Sequence, residues 1–233
     1  VVNAVESMSA TPSLIISYDG TPNDEDALAL GKMLAPAGFR LALAYVRHSH
    51  EFDARREELA QHDAEQRLER GADLLGDPGV TRHIVLSAST GAGLGALAQS
   101  EGASLIVFGS DYRTAPGHVE PGTSAQHLLD GGSVAVGIAC AGLRTQLGNE
   151  IGSIAVPVAG PRNEVARDAA QALATGLGAN LVESSSAPVD LIVVGSQPEA
   201  PAGHIVVGGD VRSELGRARS SVLVLPAGSS LLL

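Results

Sequence analysis

Short apolar runs recur along the chain at residues 14–17, 41–46, 84–87, 105–108 and 134–139, each too brief for an ordinary helix and nearly unbroken by polar residues. Segments with helical character separate them. Strands that are apolar on both faces belong in a sheet covered on both sides, and helices between such strands make the sheet parallel. That alternation predicts a doubly wound α/β fold with a mostly parallel sheet. The first helix has a legible start: Asn23 is a capping residue, and Asp24, Glu25 and Asp26 fill the first turn, where acids suit the helix dipole. The stretch 51–75 is charged over most of its length and reads as an exposed helix with a thin apolar stripe through Leu59 and Leu68. Aromatic residues make up only 3%, so the core has to be built from Val, Leu, Ile and Ala.

The second part of the chain repeats the first. Ser104-Leu105-Ile106-Val107-Phe108-Gly109-Ser110 returns as Asp190-Leu191-Ile192-Val193-Val194-Gly195-Ser196, at a spacing of 86. Gly117-His118 matches Gly203-His204 at that spacing, and Gly122 matches Gly208. Ser13, Gly20 and Asn23 match Ser153, Gly160 and Asn163 at a spacing of 140, so 54 residues are absent from the second copy. These correspond to the charged helix, the third strand and the third helix. The expected organisation is a tail over 1–11, a full unit over 12–143, a joining stretch over 144–152, a truncated unit over 153–228 and a tail over 229–233. Within the truncated unit only residues 184–188 separate the candidate strand at 180–183 from the next. Five extended residues reach ~17 Å, too little to cross two strand positions, so that strand is expected to be very short or absent.

Two loops of the first unit carry the candidate chemistry. The first strand ends in Ser17-Tyr18-Asp19-Gly20-Thr21, and the fourth in Gly109-Ser110-Asp111-Tyr112, with a loop running on to Gly122-Thr123-Ser124. In a sheet of order 3-2-1-4-5, strands 1 and 4 are neighbours whose connections leave in opposite directions. The crevice at their carboxyl ends takes ligands. Asp19 suits a hydrogen bond from an adenine amino group or a ribose hydroxyl. Glycines let backbone N–H groups approach phosphate oxygens, and Thr123 adds a hydroxyl at a helix start. The plainer reading is that Asp19 orders a turn and that the 109–123 loop is an inherited turn that binds nothing.

These residues resemble the universal stress protein family, over nearly all of the chain. The family opens with a strand ending in Val-Asp-Gly-Ser and a helix beginning near Ala-Leu; here these are Tyr18-Asp19-Gly20-Thr21 and Ala27-Leu28. Its ATP-binding members carry Gly-x2-Gly-x9-Gly-Ser/Thr after the fourth strand. The spacing from Gly109 to Gly122-Thr123 is intact, and Tyr112 stands in place of the middle glycine. The resemblance implies an adenine nucleotide alpha hydrolase-like fold and an adenine nucleotide, ATP or another, held by Asp19, Gly20, Val46, Gly109, Tyr112, Gly122, Thr123 and Ser124. It also implies pairing through fifth strands at 134–139 and 222–225, which would make the chain an internal pseudo-dimer, with a homodimer as a further state. The departures bear on function. Tyr112 removes a close approach to phosphate, and Asp111 and Glu120 offset Arg113 and His118 in a loop that is usually basic. In the second copy Ala159 replaces the acid, Pro198 the middle glycine and Gly209 the hydroxyl residue.

The net charge of −11 disfavours nucleic acid and anionic membranes as partners, and no apolar run approaches a membrane span. Residues 1–13 do not read as a signal peptide, and Met8 is a candidate start. Cys140 lies in an apolar run as a small hydrophobe, without a disulfide partner, which fits a cytoplasmic protein. His48 and His50 lack a third ligand for a metal, and the recurring His118 and His204 read as structural. No Gly-x4-Gly-Lys-Ser/Thr, Ser-Gly-Gly-x-Asp-Ser, His-x-Gly-His or Gly-x-Ser-x-Gly motif is present, so no catalytic residue is expected, and at most slow ATP hydrolysis. The first expectation is a regulatory nucleotide-binding stress protein with its pocket in the first unit only. The alternative is a relative that has lost nucleotide binding and acts through protein contacts.

Overall fold

Each apolar run becomes a strand, because only a residue flanked by helices on both sides of a sheet is buried whichever way it points. The computed structural model describes residues 13–146, 150–156, 164–182, 188–197, 199–229 and 231. Ala159, Gly160, Asn163, Pro198 and the end of the C-terminal tail lie outside them. The first half contains β1 (Ser13–Ser17), β2 (Arg40–Arg47), β3 (Thr81–Leu86), β4 (Ala103–Gly109) and β5 (Ala135–Ala139). The second contains β6 (Ser153–Ala155), β7 (Asn180–Val182), β8 (Leu191–Gly195) and β9 (Ser221–Leu225). All of them join one sheet in the order β3-β2-β1-β4-β5-β9-β8-β6-β7. The first half therefore has the expected order 3-2-1-4-5.

Within each half every pairing is parallel. The halves meet at β5 and β9, which run antiparallel with Val136 opposite Val224, Gly137 opposite Leu223 and Ile138 opposite Val222. Gly137 packs closely there: a Cβ on it would sit 2.9 Å from Leu223 Cδ2, which would have to shift. The hydrogen bonds of the β4 end recur at the spacing of 86. Ser110 Oγ donates to Ala139 O at 2.7 Å, and Ser196 Oγ to Leu225 O at 2.7 Å. Gly117 N–H donates to Ala141 O and Gly203 N–H to Ala227 O.

Two layers cover the sheet. The helices α1 (Pro22–Leu34), α2 (Ala54–Leu75) and α5 (Glu164–Leu177) pack on one face, against Leu14, Ile16, Leu105 and Val107. The helices α3 (Thr90–Glu101), α4 (Thr123–Leu129) and α6 (Gly209–Arg217) pack on the other, against Ile15, Ile106 and Phe108. The alternation along β1 and β4 is the ordinary two-residue period of a strand. Leu231, from the C-terminal tail, is buried with the first layer.

Two expectations need correction. The α1 helix starts at Pro22 with Thr21 as its cap, not at Asn23. Proline is preorganised for a first helical position, and the Asp24 carboxylate accepts from Thr21 N–H and from its hydroxyl. The charged helix starts at Ala54, capped by the Asp53 carboxylate, which accepts from Arg56 N–H at 3.0 Å. Its buried stripe runs through Ala64, Leu68, Gly71, Ala72 and Leu75, while Leu59 is exposed. The doubtful strand of the second half is very short, as expected: β7 has only three residues.

Candidate functional site

The switch point lies between β1 and β4, which pair directly. Connections from β1 and β2 leave to the α1 and α2 face, and those from β3 and β4 to the α3 and α4 face. Past Ser17, Tyr18 N–H donates to Ala44 O at 2.9 Å, the last rung between β1 and β2. The strand period puts the Val46 N–H and C=O on the same edge as those of Ala44, beyond that rung. The Val46 side chain itself is buried in the α3 and α4 layer. Gly20 turns the chain at a φ of 91°, which a residue with a Cβ rarely adopts.

Asp19 is exposed, and its carboxylate accepts from Thr21 N–H at 3.0 Å. Asp24 Oδ2 accepts from Asp19 N–H at 3.0 Å, so the two acids lie side by side at the start of α1. Burial, and then Asp19 itself, push the Asp24 carboxyl up to about 7, while its contact with Asp24 draws Asp19 down. The pair therefore carries less than its full two negative charges near neutrality and approaches one on the acid side of it. Arg67 of α2 donates to Asp19 O at 2.8 Å and lies 5.3 Å from the Tyr45 ring centre. Asp19 and Gly20 open into a shallow cavity of about 470 Å³ whose other walls are Asp63, Gln66, Arg67 and Arg70 of α2.

The β4 side is arranged differently. Gly109 faces the first turn of α1 so closely that a Cβ would collide with the Asn23 carbonyl oxygen. Asn23 Nδ2 also donates to Ser110 O at 2.7 Å. The loop 110–121 folds back on itself: Ser110 bridges Pro121, and Asp111 N–H donates to Glu120 O at 2.8 Å. Tyr112 stands out from this ribbon 71% exposed, with the Arg113 guanidinium 4.8 Å from its ring centre. Gly122 caps α4, and Thr123 and Ser124 form its first turn. A Cβ on Gly122 would meet nothing within 4 Å, and its φ of −69° needs no glycine. So the fold itself accounts for Gly109 but not for Gly122.

The structure thus joins Gly109 to α1 and Asp19 with Gly20 to α2. None of Gly109, Tyr112, Gly122, Thr123 or Ser124 lines the Asp19 cavity.

No known protein-family model and no curated protein matches the chain. Solved structures do. A universal stress protein from Archaeoglobus fulgidus DSM 4304 superposes with a TM-score of 0.69 at 13% identity, over 94% of this chain and 100% of its own. The chain has the universal stress protein fold. A functionally unknown protein from Pseudomonas aeruginosa PAO1 shares it, with a TM-score of 0.57 at 16% identity over 94% of each chain.

Within that fold, sequence reading missed Asp24, Arg67 and Asn23 as neighbours of the site. Thr21-x-x-Asp24 was a legible capping pattern, whereas Arg67 and Asn23 act across 48 and 87 residues and leave no local signal. The two recurring histidines cross between the halves. His118 Nδ1 lies 2.6 Å from Arg219 Nη1, and His204 Nδ1 lies 3.0 Å from Gly131 O. His48 and His50 hold different partners, Ser87 O and Glu57. Among the described residues no group of three acids, histidines or cysteines is placed to hold a metal, and no helix is long and apolar enough to cross a membrane. Cys140 is buried, and burial pushes its thiol up to about 11, so it stays protonated.

Proposed function

We propose that the first half binds an adenine nucleotide, ATP or another, as a regulatory ligand, and that the second half serves as its built-in partner through β5 and β9. The observation that carries this reading is the bare backbone edge of Val46 beside the Gly20 turn. One donor and one acceptor in line match the paired donor and acceptor on an adenine edge, which no side chain in a crowded switch point has to supply. Gly122 adds support, since the fold needs no glycine there and the space above it is open. The residues fit the base and ribose end. The phosphate end is weaker, because Tyr112 replaces a glycine and Asp111 and Glu120 offset Arg113. When bound, the nucleotide supplies a chemical signal of adenylate charge state. The protein's own residues position it.

Gly122→Asp tests the reading. An aspartate suits a helix cap slightly better than glycine, so stability should rise by a few tenths of a kcal/mol, about 0.3. The added carboxylate would meet the phosphates, and ATP or ADP binding by calorimetry should fall at least about tenfold. Wild-type affinity in this variant, or no nucleotide bound by the parent, would sink the proposal. The second outcome would favour the alternative of an interaction module, to which the engaged Asp19 carboxylate and its acidic neighbour Asp24 already lend weight.

A further inference from the structure

A second cavity, of about 430 Å³, lies on the other side of the 110–121 loop, between that loop and α6 of the second half. Its volume is in the range of small-molecule sites. Arg113 enters it from the first half and Arg212 from the second, with Glu120 the lone acid among the described residues of its lining. That is a cationic cleft in a chain of net charge −11. Arg113 has no carboxylate within ion-pair distance among the described residues; its guanidinium only stacks on the exposed Tyr112. Arg212 is half exposed and meets Asp130 at 2.8 Å, leaving most of its fork unspent.

His118 adds a third donor. A guanidinium has no acceptor, so the 2.6 Å contact with Arg219 Nη1 makes His118 Nδ1 the unprotonated nitrogen and places the ring proton on Nε2. The remaining wall is apolar, through the buried Val119 and Leu215. The pseudo-symmetric place on the opposite side keeps the histidine, as His204, and an apolar wall, as Ile205 and Leu129, but not the pair of guanidiniums. At the spacing of 86, Arg113 becomes Glu199 and Arg212 answers to Gln126. The repeat gives the scaffold, and the positive charge has been placed on one side only.

We propose that this cleft is a binding site for a small organic phosphate, clamped between the two halves by Arg113 and Arg212. Two guanidinium forks and an imidazole N–H offer more donors than the two oxygens of a carboxylate use, and they match the three terminal oxygens of a phosphate monoester. The apolar wall and the volume call for an organic body beyond the phosphate. The site does not depend on the nucleotide reading, since it lies across the loop from Gly20 and Val46.

The test is calorimetric titration of the full chain at low salt with phenyl phosphate, against benzoate and inorganic phosphate. Phenyl phosphate should bind one per chain, and the other two at least about tenfold more weakly. Arg113→Gln and Arg212→Gln should each weaken it about tenfold with no change in melting temperature, as both side chains are exposed at one end. Asp130→Asn releases Arg212 and should tighten binding, a gain that no folding defect mimics. Thr123→Ala, an uncharged change on the nucleotide side that does not line this cleft, should leave phenyl phosphate binding unchanged. No binding by about 10 mM, arginine variants that bind like the parent, or benzoate binding as tightly would each overturn the proposal. So would a loss on Thr123→Ala, which would assign the phosphate to the nucleotide site instead.

Discussion

Replacing Asp26 with alanine should destabilise the protein more than any other change to an acidic side chain of α1. Asp26 is 1% exposed, although it sits in the acidic first half of a surface helix. Its carboxylate accepts from Gly142 N–H at 2.8 Å, from Arg144 N–H at 2.9 Å and from Arg144 Nη1 at 2.9 Å. It thereby fixes the turn that leaves β5 and starts the crossing into the second half. Alanine strands two backbone donors, each at ~1–3 kcal/mol where water cannot reach them. The Arg144 guanidinium is better placed, because it keeps Pro22 O at 2.8 Å and Glu25 at 3.5 Å. The expected loss is therefore about 2–6 kcal/mol, a third or so of a typical domain's stability. Urea unfolding at constant m-value measures it. Asp26→Asn keeps one acceptor and should fall between Asp26→Ala and the parent. Arg144→Ala should cost less than Asp26→Ala, since it leaves both backbone bonds intact. Equal losses for Arg144→Ala and Asp26→Ala would mean that the ion pair, not backbone satisfaction, holds the turn, and the reasoning would fail.

Gly109→Ala should destabilise the fold without any ligand, by ~1–3 kcal/mol, because the new methyl meets the Asn23 backbone rather than a side chain that can move; a thermal melt at parental stability would refute that packing. Stability should fall as pH rises from 3.8 towards about 7, because folded Asp24 holds its proton through that window and the unfolded chain does not. Asp19 works the other way, its contribution being lost below its ordinary value. Asp24→Asn should flatten the decline in melting temperature across the window, and an unchanged slope would remove Asp24 as its source. Ending the chain before Ile151 uncovers the β5 edge and should give a dimer or an aggregate by light scattering; a monomer across micromolar concentrations would count against the role given to β9.

The sheet was legible because burial on both faces leaves a compositional mark that needs no tertiary information. Where burial is one-sided the mark fades. β3 begins at Thr81, three residues before its apolar run, since Thr81, Arg82 and His83 pair with β2 through backbone alone at the sheet edge. The start of α1 was misplaced by reading a capping residue singly, when Thr21 and Asp24 act together with Pro22. The ends of β1 and β4 could be placed at one switch point from strand order. The loop that closes Gly109 against Asn23, and the α2 arginines beside Asp19, could not, because contacts 48 to 87 residues apart leave no periodic trace. The spacing of 86 was visible in sequence, yet the hydrogen bonds it preserves, such as Ser110 to Ala139 and Ser196 to Leu225, are what show why serine recurs.

The antiparallel contact of β5 with β9 has a consequence for dilution. An edge strand satisfied by a second molecule is bare whenever the concentration drops below the dissociation constant. An edge satisfied by the same chain faces an effective concentration that is a property of the connecting segment and does not change with expression level. Stoichiometry changes with it. A symmetric pair presents every surface twice and can couple two equal sites, whereas this chain presents a full half and a shortened half. A ligand held by one half alone would follow a single-site isotherm, graded over about two decades of ligand.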